Sequence, residues 1–171
     1  RYWIEEKFRN KEDIFVLCLK LTDLERIRME NGTDQEMTKA VAEKLWNITP
    51  GHAVFRVRYD TYILFTKNKE EHRKLLERIK KLFSTEIAIN GHLKRCPVVV
   101  VEMEHAERVC HGNYNEVMNY FRFLLQQTEK KQGFQCIECS DEFQKKYKYE
   151  RSVEQYIRFA LDHNLFEVWY Q

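Results

Sequence analysis

Residues 55–64 of the chain read Phe-Arg-Val-Arg-Tyr-Asp-Thr-Tyr-Ile-Leu. β-Branched and aromatic residues at this density favour extended strands. Pro50 and Gly51 lie just upstream and form a turn signal. The stretch therefore predicts two strands, residues 53–57 and 59–65, joined by a tight hairpin.

The hydrophobic pattern on both sides of the hairpin predicts alternating strands and helices. The other predicted strands are residues 13–21, 85–89, 97–102, 134–137 and 165–170. The predicted helices are residues 1–9, 23–30, 33–46, 67–83 and 114–132, a helix capped by Ser140, and residues 151–163. The order of these elements predicts an α+β sandwich, in which helices cover a central sheet.

Composition limits the classes of function. The chain has 171 residues, of which 43% are hydrophobic, so it fits one compact domain with a short extension. Its 29 Lys and Arg residues nearly balance 27 Asp and Glu residues, which leaves a formal net charge of +2. Such a weak overall charge does not favour nucleic acid as a partner.

The cysteines and the longest apolar runs bear on location. Five cysteines, an odd number, follow no apolar leader, so we expect a reducing cytoplasm. Apolar runs such as residues 96–101 are too short to span a bilayer, and we expect no membrane span in this segment. A longer parent protein with a membrane anchor remains compatible with this expectation.

The hairpin resembles the signature hairpin of the GGDEF family, which comprises the diguanylate cyclases and their relatives. Residues Arg58-Tyr59-Asp60-Thr61-Tyr62 stand where the five signature letters normally stand. Upstream, residues 19–24 and the pair Asn31-Gly32 resemble the first strand and helix of that family. The resemblance implies a GGDEF/nucleotidyl cyclase-like sandwich, with a mostly antiparallel sheet and a ferredoxin-like βαββαβ core covered by helices.

The tail of the chain has a second resemblance. Residues 152–157 and 166–171 are similar to the first helix and strand of an EAL domain, the cyclic di-GMP phosphodiesterase domain that often follows GGDEF. This implies a GGDEF-like domain over residues 1–149, followed by a linker and the start of an EAL domain over residues 150–171. A bacterial cyclic di-GMP signalling protein is the expected parent, and its EAL domain is the expected partner.

The resemblance also implies where cations would be held. Two acidic positions of a diguanylate cyclase hold divalent cations beside GTP, and here they fall on Lys20 and Asp60. A fixed ammonium group does not ligate Mg²⁺, so no metal and no cofactor are expected. Lys20 and Asp60 should face each other on adjacent strands, either as an ion pair or with both side chains in solvent.

Further changes fall on the positions that would hold the nucleotide. The glycine pair of the signature falls on Arg58 and Tyr59, whose side chains obstruct a close approach of substrate, and its next acid falls on Thr61. The two guanine-reading positions fall on Arg28 and Met37, which lack the acceptors that guanine needs. The resemblance thus implies a degenerate signature with no catalytic residue.

Two hypotheses follow from these residues. In the first, the domain is a non-catalytic regulator that acts on a downstream EAL domain by docking, by forming a homodimer or by binding GTP. Arg28, Arg56 and Arg58 would then bind phosphate, unless they only form a solvated strand face. In the second, the domain keeps weak cyclase or GTP-hydrolysing activity through Asp60 and a second acid such as Asp23.

Two other groups have metal-ligand character. Cys136 and Cys139 have the spacing of half a zinc site, but no second cysteine pair accompanies them, so an ordinary strand end is expected. His105, Cys110 and His111 cluster in a polar loop and are either ligands or plain exposed residues.

Overall fold

The computed structural model describes residues 2–10, 13–22, 24, 35–51, 53–66, 68–89, 91–109, 114–127 and 133–167. The helices are α1 (Tyr2–Arg9), α2 (Gln35–Ile48), α3 (Lys69–Phe83), α4 (Ala106–Val109), α5 (Tyr114–Gln126) and α6 (Asp141–Asp162). The strands are β1 (Phe15–Leu21), β2 (Ala53–Arg58), β3 (Thr61–Thr66), β4 (Ile87–Ile89), β5 (His92–Lys94), β6 (Val98–Met103) and β7 (Phe134–Glu138).

The chain forms two compact units, Arg1–Cys139 and Ser140–Gln171. The first unit contains both sheets, and the second contains α6, whose first turn is capped by the Ser140 side chain. Within the described residues, no helix combines the length and the apolar character that crossing a membrane requires.

The central sheet has five strands in the order β2-β3-β1-β6-β7. The first three neighbouring pairs are antiparallel, and only β6 and β7 run parallel. The path β1-α2-β2-β3-α3-β6 places the last strand beside the first, with the second strand at the edge. This is the ferredoxin-like βαββαβ arrangement, so the predicted α+β class and the mostly antiparallel sheet are confirmed.

The core lies mainly between the sheet and helices α2 and α3. Alternate residues of β1 point to this side, and they pack with buried residues of the two helices, among them Val41, Leu45, Leu75 and Ile79. The intervening residues point to the other side, where α5 contacts β6. Because both faces are covered, β1 and β6 are buried along nearly their whole length.

Some local predictions differ from the structure. The strand β5 was not predicted; it pairs with β4 in a separate two-stranded sheet, next to Gly91, whose φ is 77°. The predicted helix over residues 151–163 is the second half of α6, which runs without a break. Of the predicted strand over residues 165–170, residues 165–167 are not extended in a sheet, and the rest lie outside the described residues.

Candidate functional site

The turn between β2 and β3 lies beside the end of β1, and we call this edge of the sheet the hairpin end, comprising Lys20 and residues 58–61. The antiparallel register of β1 and β3 pairs Lys20 with Thr61. The backbone N–H of Leu21 donates to the carbonyl oxygen of Asp60 at 2.8 Å, which extends the ladder to the tip of the hairpin. The fold therefore brings the predicted positions Lys20 and Asp60 together.

The hairpin tip contains a β-bulge. Arg56 pairs with Tyr62 and Arg58 pairs with Thr61, so Val57 is the extra residue of β2. Among the described residues other than glycine, only His105 and Asn164 have positive φ, so the tip closes without left-handed backbone. Arg58 and Tyr59 therefore adopt this turn without backbone strain.

Lys20 and Asp60 form a loose ion pair. The Nζ of Lys20 lies 4.0 Å from Oδ2 of Asp60, and the two side chains are 40% and 11% exposed. The hydroxyl of Thr61 donates to the other carboxylate oxygen, Oδ1, at 2.7 Å. Asp60 is thus largely shielded and faces one hydroxyl and one ammonium, whereas Mg²⁺ needs several oxygen ligands.

Arg56 binds the backbone of the tip. Its Nε donates to the carbonyl oxygen of Arg58 at 3.3 Å, and its Nη2 donates to that of Tyr59 at 3.0 Å. Arg58 itself is exposed. Arg28, the third predicted phosphate-binding arginine, lies outside the described residues, as does Asp23, the predicted second acid. The structure therefore places Arg58 in the hairpin end and Arg56 beside it, with Arg56 bound to the backbone of the tip.

Tyr62 and Met37 belong to the core. The Tyr62 hydroxyl is buried and donates to the carbonyl oxygen of Thr38 at 2.9 Å, which ties β3 to α2. Burial raises the pKa of Tyr62, the charge of Asp60 raises it further, and Arg56 opposes the rise. Met37 packs in the main core, so the position that the resemblance assigned to guanine contact presents no group to solvent.

Solved structures share this architecture. The GGDEF domain of YfiN, also called TpbB, from Pseudomonas aeruginosa matches with a TM-score of 0.66 and 9% identity, over 85% of this chain and 87% of that one. A diguanylate cyclase/phosphodiesterase from Caldicellulosiruptor saccharolyticus matches with a TM-score of 0.62 and 17% identity, over 80% and 84%. An EAL/GGDEF domain protein from M. capsulatus matches with 0.58 and 9%, over 75% and 86%.

The chain has the fold of a GGDEF domain. Identities this low establish the fold and leave the chemistry to the residues of the site. No family model matches the sequence, and no curated protein matches it either. Within this GGDEF fold, residues 58–62 occupy the β2-β3 hairpin that the sequence resemblance assigned to the signature.

The two cysteines Cys136 and Cys139 lie on and just after β7, an edge strand of the central sheet. Cys136 is exposed on β7, and the Sγ of Cys139 lies 3.0 Å from the hydroxyl of Tyr120. Among the described residues, neither belongs to a group of three potential metal ligands. The structure thus adds no further ligand to the predicted cysteine pair.

One group of three potential metal ligands does occur in the described part of the chain. Asp13, His105 and Glu107 each offer a ligand atom, and these atoms lie within 4.8 Å of one another. We call this group the histidine end of the sheet. Cys110 and His111, which the sequence placed near His105, lie outside the described residues.

The histidine end is opposite the hairpin end. Because β1 and β6 are antiparallel, with Val16 paired to Met103, the residue before β1 meets the residues after β6. Sequence reasoning singled out His105 but missed Asp13 and Glu107. The available signal was the order of the two predicted strands, because antiparallel neighbours place the start of one beside the end of the other.

Proposed function

We propose that this chain is a non-catalytic, regulatory GGDEF-like module of a bacterial cyclic di-GMP signalling protein. It would act in the cytoplasm and modulate a downstream EAL phosphodiesterase domain by docking, by dimerising or by binding a nucleotide. The observation that carries the proposal is the pairing of Lys20 with Asp60, because it leaves one carboxylate and one ammonium where cyclase chemistry requires two carboxylates.

The charges at the hairpin end oppose cation binding. A Mg²⁺ ion needs near-octahedral oxygen coordination, and dedicated carboxylates usually supply part of it. Asp60 already accepts a hydrogen bond from Thr61, and its other oxygen faces the Lys20 ammonium. A cation beside Asp60 would be repelled by that ammonium, so the triphosphate would lose the charge neutralisation that phosphoryl transfer requires.

The side chains at the tip support binding without turnover as one version of the proposal. Arg58 is exposed, and Tyr59 is 56% exposed, so a guanidinium and an aromatic ring are both accessible to solvent at consecutive positions of the chain. A guanidinium binds phosphate by paired charge-assisted hydrogen bonds, and a tyrosine ring can stack on a base. Arg56 would first have to give up its two backbone carbonyls.

The second compact unit supports the docking version. Residues 150–171 are proposed as the link to an EAL domain and its first elements, as the sequence resemblance implies. The C-terminal half of α6 carries exposed apolar side chains, among them Val153, Tyr156, Ile157 and Leu161. Exposed apolar side chains of this kind are typical of a surface that packs against another part of a protein.

Calorimetric titration of the purified chain with GTP and Mg²⁺, combined with an assay for cyclic di-GMP in the same samples, tests the proposal. We expect no product. Product above that of an Asp60→Asn control would overturn the non-catalytic assignment and support the weak-cyclase alternative. Lys20→Asp should strengthen binding of Mg²⁺ near Asp60 yet still give no product, because Arg58, Tyr59 and Thr61 remain unchanged.

The binding result separates the versions of the proposal. GTP binding without product would support nucleotide sensing, and Arg58→Ala should then weaken it while the exposed Arg95→Ala should not. If GTP does not bind, sedimentation at rising concentration distinguishes a homodimer from a monomer. A monomer that does not bind GTP leaves docking, which is tested by comparing the phosphodiesterase activity of the EAL domain with and without this module in one chain.

A further inference from the structure

We propose that Asp13, His105 and Glu107, the histidine end of the sheet, bind a divalent transition-metal ion such as Zn²⁺. Nδ1 of His105 lies 3.3 Å from Oδ1 of Asp13 and 3.3 Å from Oε1 of Glu107. The imidazole nitrogen is therefore equally distant from two carboxylate oxygens. Imidazole and carboxylate together are a usual ligand set for zinc.

The distances fit shared coordination better than direct pairing. Charge-assisted N–H···O bonds are normally about 2.7–2.9 Å long, so both contacts are too long for strong hydrogen bonds. Nδ1 of His105 is shielded from solvent, and within the described chain it makes no hydrogen bond of acceptable geometry. Ligand atoms at about 2.05 Å from a tetrahedral zinc ion are about 3.3 Å from each other, which matches both contacts.

One hydrogen bond holds a ligand side chain, that of Glu107, and a backbone bond fixes the neighbouring segment. The N–H of Ile14 donates to Oε2 of Glu107 at 3.0 Å, and the N–H of Ala106 donates to the carbonyl oxygen of Ile14 at 3.0 Å. These bonds fix the start of α4 against the residue that follows Asp13. Such supporting bonds orient ligands before the metal arrives and raise its affinity.

The site is open enough for an ion to enter. The side chain of Glu107 is 18% exposed, that of His105 is 29% exposed and that of Asp13 is 63% exposed. Two carboxylates beside an imidazole attract a dication, and the exposed Asp13 can adjust its position as the ion binds. The nitrogen ligand favours zinc over Mg²⁺ or Ca²⁺, which prefer oxygen ligands alone.

The site is separate from the cation positions that the GGDEF resemblance implies. Those positions, Lys20 and Asp60, lie at the hairpin end, and Asp13 lies seven residues before Lys20 along one strand and its approach. At about 3.3 Å per extended residue, the two ends are about 20 Å apart. The zinc proposal therefore does not depend on whether the hairpin end binds GTP.

The test is calorimetric titration of ZnCl₂ into the purified chain after chelator treatment. Variants are Asp13→Asn and His105→Asn, with His92→Asn as the matched control because His92 is an exposed histidine on β5. His105 has a φ of 55°, and asparagine tolerates this left-handed region, so His105→Asn removes the ligand nitrogen without straining the backbone.

We expect the wild type to bind zinc tightly. Asp13→Asn and His105→Asn should each weaken this binding by at least about tenfold, the smallest effect typical of disturbing a metal site. His92→Asn should leave the affinity unchanged. Equal affinity in Asp13→Asn, His105→Asn and the wild type would mean that zinc binds elsewhere, for example at cysteines, and would overturn the proposal. An absence of binding to the wild type would overturn it as well, leaving His105 as a side chain that only contacts two carboxylates. Circular dichroism confirms folding of each variant, and the exposed Asp13→Asn carries the test if His105→Asn unfolds.

Discussion

The two ends of β1 differ in the chemistry that they hold, although one strand supports both. At the hairpin end, Lys20 faces the single carboxylate of Asp60 across 4.0 Å. At the histidine end, two carboxylates converge on one imidazole. Between them, residues 15–19 are fully buried and apolar. The packed middle of the strand sets where the two ends lie, while the side chains at each end determine its chemistry separately.

The largest expected effect comes from weakening the shared middle. Leu17 is fully buried in the main core, so Leu17→Ala should lower the free energy of unfolding by about 2–5 kcal/mol. Urea denaturation measures this, with the exposed Leu93→Ala as a control that should change little. Because both ends depend on β1, fluorescence and circular dichroism should report a single transition for residues 1–139. Two separate transitions would mean that the two ends of β1 unfold independently.

Next to the hairpin end, a buried hydroxyl ties β3 to α2. Tyr62→Phe removes the hydroxyl that donates to the carbonyl oxygen of Thr38 at 2.9 Å, so we expect a loss of about 0.5–1.5 kcal/mol in stability. Tyr59→Phe changes the same atom at an exposed position of the same hairpin and should cost almost nothing. Equal effects of the two changes, measured by urea denaturation, would show that the hydrogen bond of Tyr62 contributes little.

Near the histidine end, the ion pair of Lys69 and Glu104 makes stability depend on pH. The hydrogen bond from Lys69, 2.6 Å long, lowers the pKa of Glu104 below its ordinary value. A carboxyl with a lowered folded-state pKa contributes stability above its unfolded pKa and loses it as the pH falls through the folded value. At pH 7, the free energy of unfolding of the wild type should therefore exceed that of Glu104→Gln by up to about 1 kcal/mol.

That difference should shrink steadily below the ordinary pKa of a glutamate and vanish at still lower pH. Thermal unfolding of the two proteins over a series of buffers measures it. A difference that stays constant down to acidic pH would assign the effect of Glu104→Gln to packing and not to charge.

The smallest effect is expected at Lys20. Its ammonium is well exposed and 4.0 Å from Asp60, so Lys20→Met should change the free energy of unfolding by less than about 0.5 kcal/mol. Raising the salt concentration should leave the difference almost unchanged. A loss above about 1 kcal/mol, measured by urea denaturation, would mean that the pair is tighter in solution than its separation indicates.

The order of the elements could be predicted from sequence because it depends on local pattern. The buried strands β1 and β6 are continuous apolar runs, and the hairpin has its turn signal upstream. Short β5 was missed because its three residues include exposed side chains and show no apolar run. The unbroken α6 was missed because residues 150–171 were interpreted as a linker and the start of a second domain, although the chain is helical through that point.

The candidate sites depend on contacts that the sequence does not contain. Lys20 and Asp60 could be placed together because their strands were predicted as neighbours. The hydrogen bonds from Arg56 to the backbone carbonyls of the tip could not be predicted from the sequence, because an arginine on a strand has many rotamers. The resemblance assigned Met37 to a guanine-reading position, but on α2 its side chain is buried in the core. The roles assigned to residues 58–62 stay predictions until GTP binding is measured.

The bulge at Val57 lies in an edge strand of the central sheet and affects how that edge can pair with other chains. The strand β2 is an edge of the central sheet, and an open edge can pair with the edge of another molecule and seed aggregation. An extra residue bends the strand and puts its outer hydrogen-bonding groups out of step with a straight partner. Arg56 and Arg58, both exposed, add like charges that repel a second copy. The hairpin thereby keeps neighbouring chains from joining sheet to sheet, whether or not GTP ever reaches it.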